Sequence, residues 1–182
     1  RYIRRQRQMC IRDRNIRIGG QMITVEVLLK HMAWANQEIY REVQKLDNEV
    51  LDYYVIDSEW TVRNILIHIV GAGHLYGQRL DGDPFSPFKL ENDDDEMLIN
   101  QLLTALERID QGLIKYANVE DRDLTYMTSQ GERTSAISTI VSQMIFHAAE
   151  HRAQIVAALD KHNFREINLD HYSVFGYIET LK

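Results

Sequence analysis

The stretch Phe146-His147-Ala148-Ala149-Glu150-His151-Arg152-Ala153-Gln154-Ile155 decides how this chain is read. It lies in a segment from Ser135 to Asn163 that contains no Pro or Gly and repeats its apolar residues at helical spacing. At about 100° of turn per residue, His147 and His151 fall roughly 40° apart on one face, one turn apart. Two imidazoles placed in this way can bear on a single metal ion. They interrupt the row Ile140, Met144, His147, His151, Ile155, Ala158, which is the core-facing stripe of the helix. One histidine on such a face is accounted for by a single hydrogen bond. Two in succession point to a metal site, the alternatives being a hydrogen-bonded core pair or a pair at a surface edge.

Three earlier helices are legible around this one. Thr61 is placed to cap a helix over Val62–Leu80, whose inward row is Ile65, His68, Ala72, Tyr76 (or Leu75) and Arg79. His68 therefore also occupies a core position, whereas His74, displaced by about 240°, cannot join a site from the same helix. Gly71 and Gly73 weaken this helix and are explained by close packing or by access to a pocket. A first helix is expected from about Thr24 to Leu46, with Val25, Leu28, Met32, Asn36, Ile39, Val43 and Leu46 in register. His31 lies about 100° off that row and reads as a boundary residue. Periodicity fails between Asp47 and Glu59, a connection with room for one short helical turn.

The stretch Asp81–Asp95 holds both prolines and an acidic run, so it reads as a loop that opens a third helix over about Asp94–Ala117. That helix carries Ile99, Leu102, Leu103, Leu106, Ile109, Leu113 and Tyr116. The acidic run lacks the Gly and bidentate Glu of a calcium loop and reads as a solvated helix start. Leu124–Arg133 is β-prone and turns at Gly131, which suits a small hairpin or an extended lid. Ser135 is expected to cap the last long helix, which ends at His162-Asn163. Tyr172, Phe175, Tyr177 and Ile178 in the tail are expected to dock back. The sum is an all-α four-helix bundle with a short irregular or hairpin segment before its last helix.

With 182 residues, 45% of them hydrophobic, and a mean hydropathy of −0.36, one globular domain over residues 22–182 is expected. No apolar run is long enough to span a bilayer, and no apolar core of a signal peptide precedes the first helix. The single cysteine, Cys10, rules out an intrachain disulfide and a cysteine-based metal site. These features fit the cytoplasm. Residues 1–14, RYIRRQRQMCIRDR, hold six Arg against one Asp and could pass for a basic arm or transit peptide. Gln8–Arg14, however, back-translates to a sequence that looks like a transposon-end adapter of sequencing libraries. Residues 1–21 are therefore read as a non-native or disordered extension, with the natural chain expected to begin at Met22. Those residues carry seven Arg and one Asp, so the charge of −6 for the whole chain becomes −12 for residues 22–182. So acidic a domain disfavours nucleic-acid binding, and no membrane partner is expected.

The run from Trp60 to Ile69, WTVRNILIHI, followed by HAAEHRAQI at 147–155, resembles the DinB-like (YfiT-like) metalloenzyme family. HMAWANQEIY at 31–40 is similar to the first helix of that family, and the likeness extends over essentially Met22–Lys182. It implies a helical bundle, usually dimeric, with one divalent metal bound by a histidine of the second helix and two of the fourth. In this sequence those are His68, His147 and His151, and all three are present. The resemblance also implies a damage-inducible, stress-response setting. Members of the broader superfamily transfer low-molecular-weight thiols or isomerise thiol adducts.

Three nitrogen ligands leave an open position, which marks a catalytic rather than a structural site. A divalent ion there can acidify a bound water or thiol, and Zn, Ni, Fe and Mn are not distinguished by three imidazoles. Glu150 lies about 60° from the His147–His151 direction and is a candidate base or outer hydrogen-bond acceptor, or an exposed salt-bridge partner. Arg152 and Gln154 are expected to act in packing or outer-shell bonding, and Trp60, Tyr76 and Tyr126 to line the pocket. The expected function is a metal-dependent hydrolase or thiol S-transferase acting on a small molecule. The alternatives are a non-catalytic metal-binding or dimeric stress-response protein, and an H-x-x-E-H zinc peptidase with Glu166 or Glu179 as third ligand.

Overall fold

The computed structural model describes residues 23–92 and 94–182, the side chain of Glu96 aside. The reading of residues 1–21 lies outside it. Four long helices dominate: α1 (Val25–Gln44), α2 (Val62–Asp81), α3 (Asp95–Leu113) and α4 (Ile137–Lys161). An antiparallel hairpin of β1 (Asp123–Thr128) and β2 (Gly131–Ala136) precedes α4, and a short α5 (Val174–Thr180) closes the chain. The fold is thus mostly helical rather than all-helical, and the hairpin option for the segment before α4 is the one realised. None of the helices is long and apolar enough to cross a membrane, among the described residues.

Local chemistry sets the helix starts. The Thr24 hydroxyl accepts from the Val27 N–H, and the Thr61 hydroxyl from the Asn64 N–H, each satisfying a donor the first turn leaves open. Gly82, at φ 76°, ends α2 in the left-handed conformation. The α4 start differs from expectation. Ser135 belongs to β2, where its hydroxyl meets Tyr126 at 3.1 Å, and Ala136 at the cap position has no capping side chain. Instead the Asp121 carboxylate accepts from the Ser138 N–H at 2.9 Å and from its hydroxyl at 2.7 Å. The third helix also stops earlier than its apolar stripe implies, passing into a 3-10 turn over Ile114–Asn118.

In the packing, α2 lies against α3 and α4, and α1 lies against the same two helices. Ile39, Tyr40, Ile65, Leu66, Leu102, Leu106, Ile155 and Leu159 form the heart of one apolar cluster. Leu29, Met32, Tyr76, Ile140 and Met144 form a second, nearer the hairpin. A Cβ at Gly73 would sit 3.3 Å from Ile109 Cγ2, so the absent side chain lets α2 approach α3 closely. The tail docks through Tyr177 and Ile178, both buried, while Phe175 stays exposed, contrary to expectation. The tail also buries His31, whose Nε2 lies 2.8 Å from the Tyr172 carbonyl, so His31 is a core residue rather than a boundary one.

Candidate metal centre

Close contact between α2 and α4 brings His68 against His147 and His151. The three imidazoles are half-buried and offer ligand atoms that all lie within 4.8 Å of one another. Nε2 of His147 stands at the middle, 2.9 Å from Nε2 of His68 and 3.0 Å from Nε2 of His151. Ligand nitrogens at about 2.0–2.1 Å from one ion stand about 3 Å apart at a right angle and about 3.4 Å apart at the tetrahedral angle. The two separations at His147 are close to the right-angle case. Among the described residues this is the group whose donor set fits a metal.

The protonation states fit as well. Burial, then the charges of His151 and His68, push the His147 imidazole down to about 4. Burial, then His151, lowers that of His68. Both rings are therefore neutral near pH 7, the form that ligates. For His151 the tautomer is fixed by its neighbours. The Trp60 indole N–H, which can only donate, lies 2.9 Å from Gln154 Oε1 and so settles which end of that amide faces it. The same oxygen lies 2.7 Å from His151 Nδ1, which must then carry the proton, leaving the Nε2 lone pair aimed at the cluster.

Aromatic rings enclose the site. Trp60 stands edge-on to His68 at 5.1 Å and to His151 at 5.7 Å, and Tyr76 stands edge-on to His147 at 5.8 Å. Tyr126 lies one step removed, beneath the Arg79 guanidinium. Beside the cluster opens a cavity of about 390 Å³, lined by His68, His147, Ala72, Tyr76, Arg79 and Phe88, among others.

His74 takes no part: its Nε2 lies 3.1 Å from the Ser86 carbonyl and 3.0 Å from the Gln78 amide. Glu150 is exposed on α4, and its charge reaches the Tyr76 hydroxyl. Arg152 points the other way, into the core, where it donates to Asn36 Oδ1 at 2.5 Å. Burial pushes the nearby Asp110 carboxyl up to about 7, against the pull of Arg152 and a hydrogen bond with Gln37. The polar core pair Asn36–Arg152 and the Trp60–Gln154–His151 chain were not legible as contacts. Gln154 at three residues past His151 was the available signal, since i, i+3 residues neighbour one another on a helix.

A search of curated proteins gives no match. The sequence matches the DinB family over residues 21–172, a span that contains α1 to α4, the hairpin and all three histidines. The chain belongs to the DinB family.

Proposed function

We propose that this protein is a metalloenzyme that holds one divalent transition-metal ion on His68, His147 and His151 and acts on a small molecule, as a hydrolase or a thiol S-transferase. The convergence of three imidazole nitrogens on one point, with the His151 lone pair fixed inward by Gln154, carries this reading. Bound there, the ion would supply Lewis acidity, lowering the pKa of a water or thiol at its open position. The chain does the rest. Trp60 and Tyr76 exclude water from two sides of the cluster, and the adjoining cavity receives the organic body of the substrate. Glu150, exposed on α4 one residue before His151, is assigned the exchange of a proton with bulk water. The cyclic packing of α1, α3, α2 and α4 supports reading the domain as a four-helix bundle. His68, rather than Glu166 or Glu179, accompanies the H-x-x-E-H pair, which favours this reading over a peptidase.

The test is elemental analysis of protein purified without a polyhistidine tag or nickel resin. One transition-metal ion per chain is expected, lost in His68→Ala, His147→Ala and His151→Ala and kept in His74→Ala. Wild-type protein that takes up no zinc, nickel or manganese on reconstitution would overturn the proposal.

A further inference from the structure

The cavity beside the three histidines contains a cation that no acidic residue satisfies. Arg79 is half-buried in its wall, and among the described residues no carboxylate lies within ion-pair distance of it. The nearest acidic residue in sequence, Asp81, is committed to Lys115 and the Tyr116 hydroxyl, each at 2.5 Å. The Arg79 guanidinium instead lies 5.2 Å from the Tyr76 ring centroid and 5.3 Å from that of Tyr126. Two rings from two elements, α2 and β1, thus hold it in place without neutralising it. An arginine fixed in this way keeps its planar donor fork and loses little side-chain freedom when an anion arrives.

Its position relative to the metal centre is set by α2. From His68 to Arg79 is eleven residues, close to three whole turns, so both project from one stripe and both line the same cavity. Tyr76 stands between them, 5.8 Å from the His147 ring. The remaining wall is apolar: Ile67, Leu75, Pro87 and Phe88. The loop that carries Pro87 and Phe88 is held onto α2 by the Ser86 N–H donating to Gln78 Oε1 at 3.0 Å, and His74 meets the Ser86 carbonyl. The cavity is therefore a built wall rather than a gap between loose segments.

The geometry points to a substrate class: an organic acid with an apolar body, its carboxylate gripped by Arg79 and its reacting group at the histidine cluster, on the far side of Tyr76 and no more than about 11 Å away. This assignment rests on the small-molecule reading of the site above. It goes beyond that reading in naming Arg79 as the specificity-determining residue. In a domain of net negative charge, a lone unpaired guanidinium in an apolar cavity selects by sign of charge as well as by shape. A carboxylate can take two parallel N–H···O bonds there, which the matching amide cannot reproduce.

The test compares 4-phenylbutyrate with 4-phenylbutyramide by calorimetry or ligand-observed NMR, on zinc-loaded protein and on protein stripped with chelator. Wild-type protein is expected to prefer the acid at least tenfold in both forms. Arg79→Gln should bring the ratio close to one, and Arg79→Lys, which keeps the charge but not the fork, should fall between, all three retaining wild-type helical circular dichroism. Equal binding of acid and amide, no binding of either at millimolar concentration, or a preference that survives Arg79→Gln would overturn the assignment. So would a preference that vanishes on removing zinc, because the carboxylate would then be held by the ion. A chain that takes up no zinc but still prefers the acid through Arg79 would sink the metal reading and leave this one standing.

Discussion

Gln154 shows how one side chain sets the chemistry of its neighbour. Its carbonyl oxygen accepts from Trp60 and from His151 Nδ1, so the imidazole can present only a lone pair at Nε2. Gln154→Leu removes the acceptor and frees the tautomer. Zinc affinity, read by competition with a chromophoric chelator, is expected to fall about 10- to 100-fold, as for other outer-shell partners of ligating histidines. Trp60→Phe removes only the donor that orients the amide, and a smaller loss is expected. Asp110 is a second case. Its Oδ2 is buried without a hydrogen-bond partner, and the carboxyl is held up near 7 by burial. Its folded pKa is above its unfolded value, so the folded state keeps the proton between about pH 4 and 7 while the unfolded state releases it. The stability this group contributes is complete below pH 4 and declines as pH rises to 7, by on the order of 4 kcal/mol. Asp110→Asn cannot titrate. The stability of the variant relative to wild type should therefore rise across that window, as measured by urea unfolding at successive pH values. A constant difference would show that Asp110 is ionised throughout.

At the scale of elements, what the sequence discloses depends on how local the cause is. The start of α2 was legible because Thr61 caps a turn three residues away; its end falls one residue past the expected Leu80, where Gly82 turns into the left-handed conformation. The three clustered histidines were legible because each falls on an apolar stripe of known period, and the family likeness pairs the two helices. The start of α4 was not, because its cap comes from Asp121, 17 residues upstream and beyond an entire hairpin. Periodicity sees Ser135 and assigns it the nearest plausible duty. His31 was misjudged for a related reason: the angle that places it off the α1 stripe knows nothing of a tail that returns from residue 172 to cover it. Asp121→Ala tests the cap directly. It should cost about 1 kcal/mol, with a downward shift in melting temperature, since a helix cap is worth about that much. Ser135→Ala, aimed at the expected cap, should cost less, as its hydroxyl only meets Tyr126.

The whole molecule divides into a helical body and a fastening. The family match ends at residue 172, yet α5 beyond it is packed on α1, with Tyr177 and Ile178 buried. A Cβ at Gly176 would lie 2.2 Å from the His171 carbonyl oxygen, so the return of the chain tolerates no side chain there. Removing residues 174–182 should lower stability by about 2–5 kcal/mol, from the loss of two large buried side chains. Metal content should be unchanged, because the three histidines lie on α2 and α4. The placement of Trp60 against His68 and His151 has one more consequence. The chain has two tryptophans, and the other, Trp34, sits in the tail contact, 5.9 Å from the Tyr172 ring and 5.5 Å from that of Tyr177. Each indole therefore watches a different event. In Trp34→Phe the emission of the protein reports what happens among the histidines, and in Trp60→Phe it reports whether the tail is fastened, with no label attached to either.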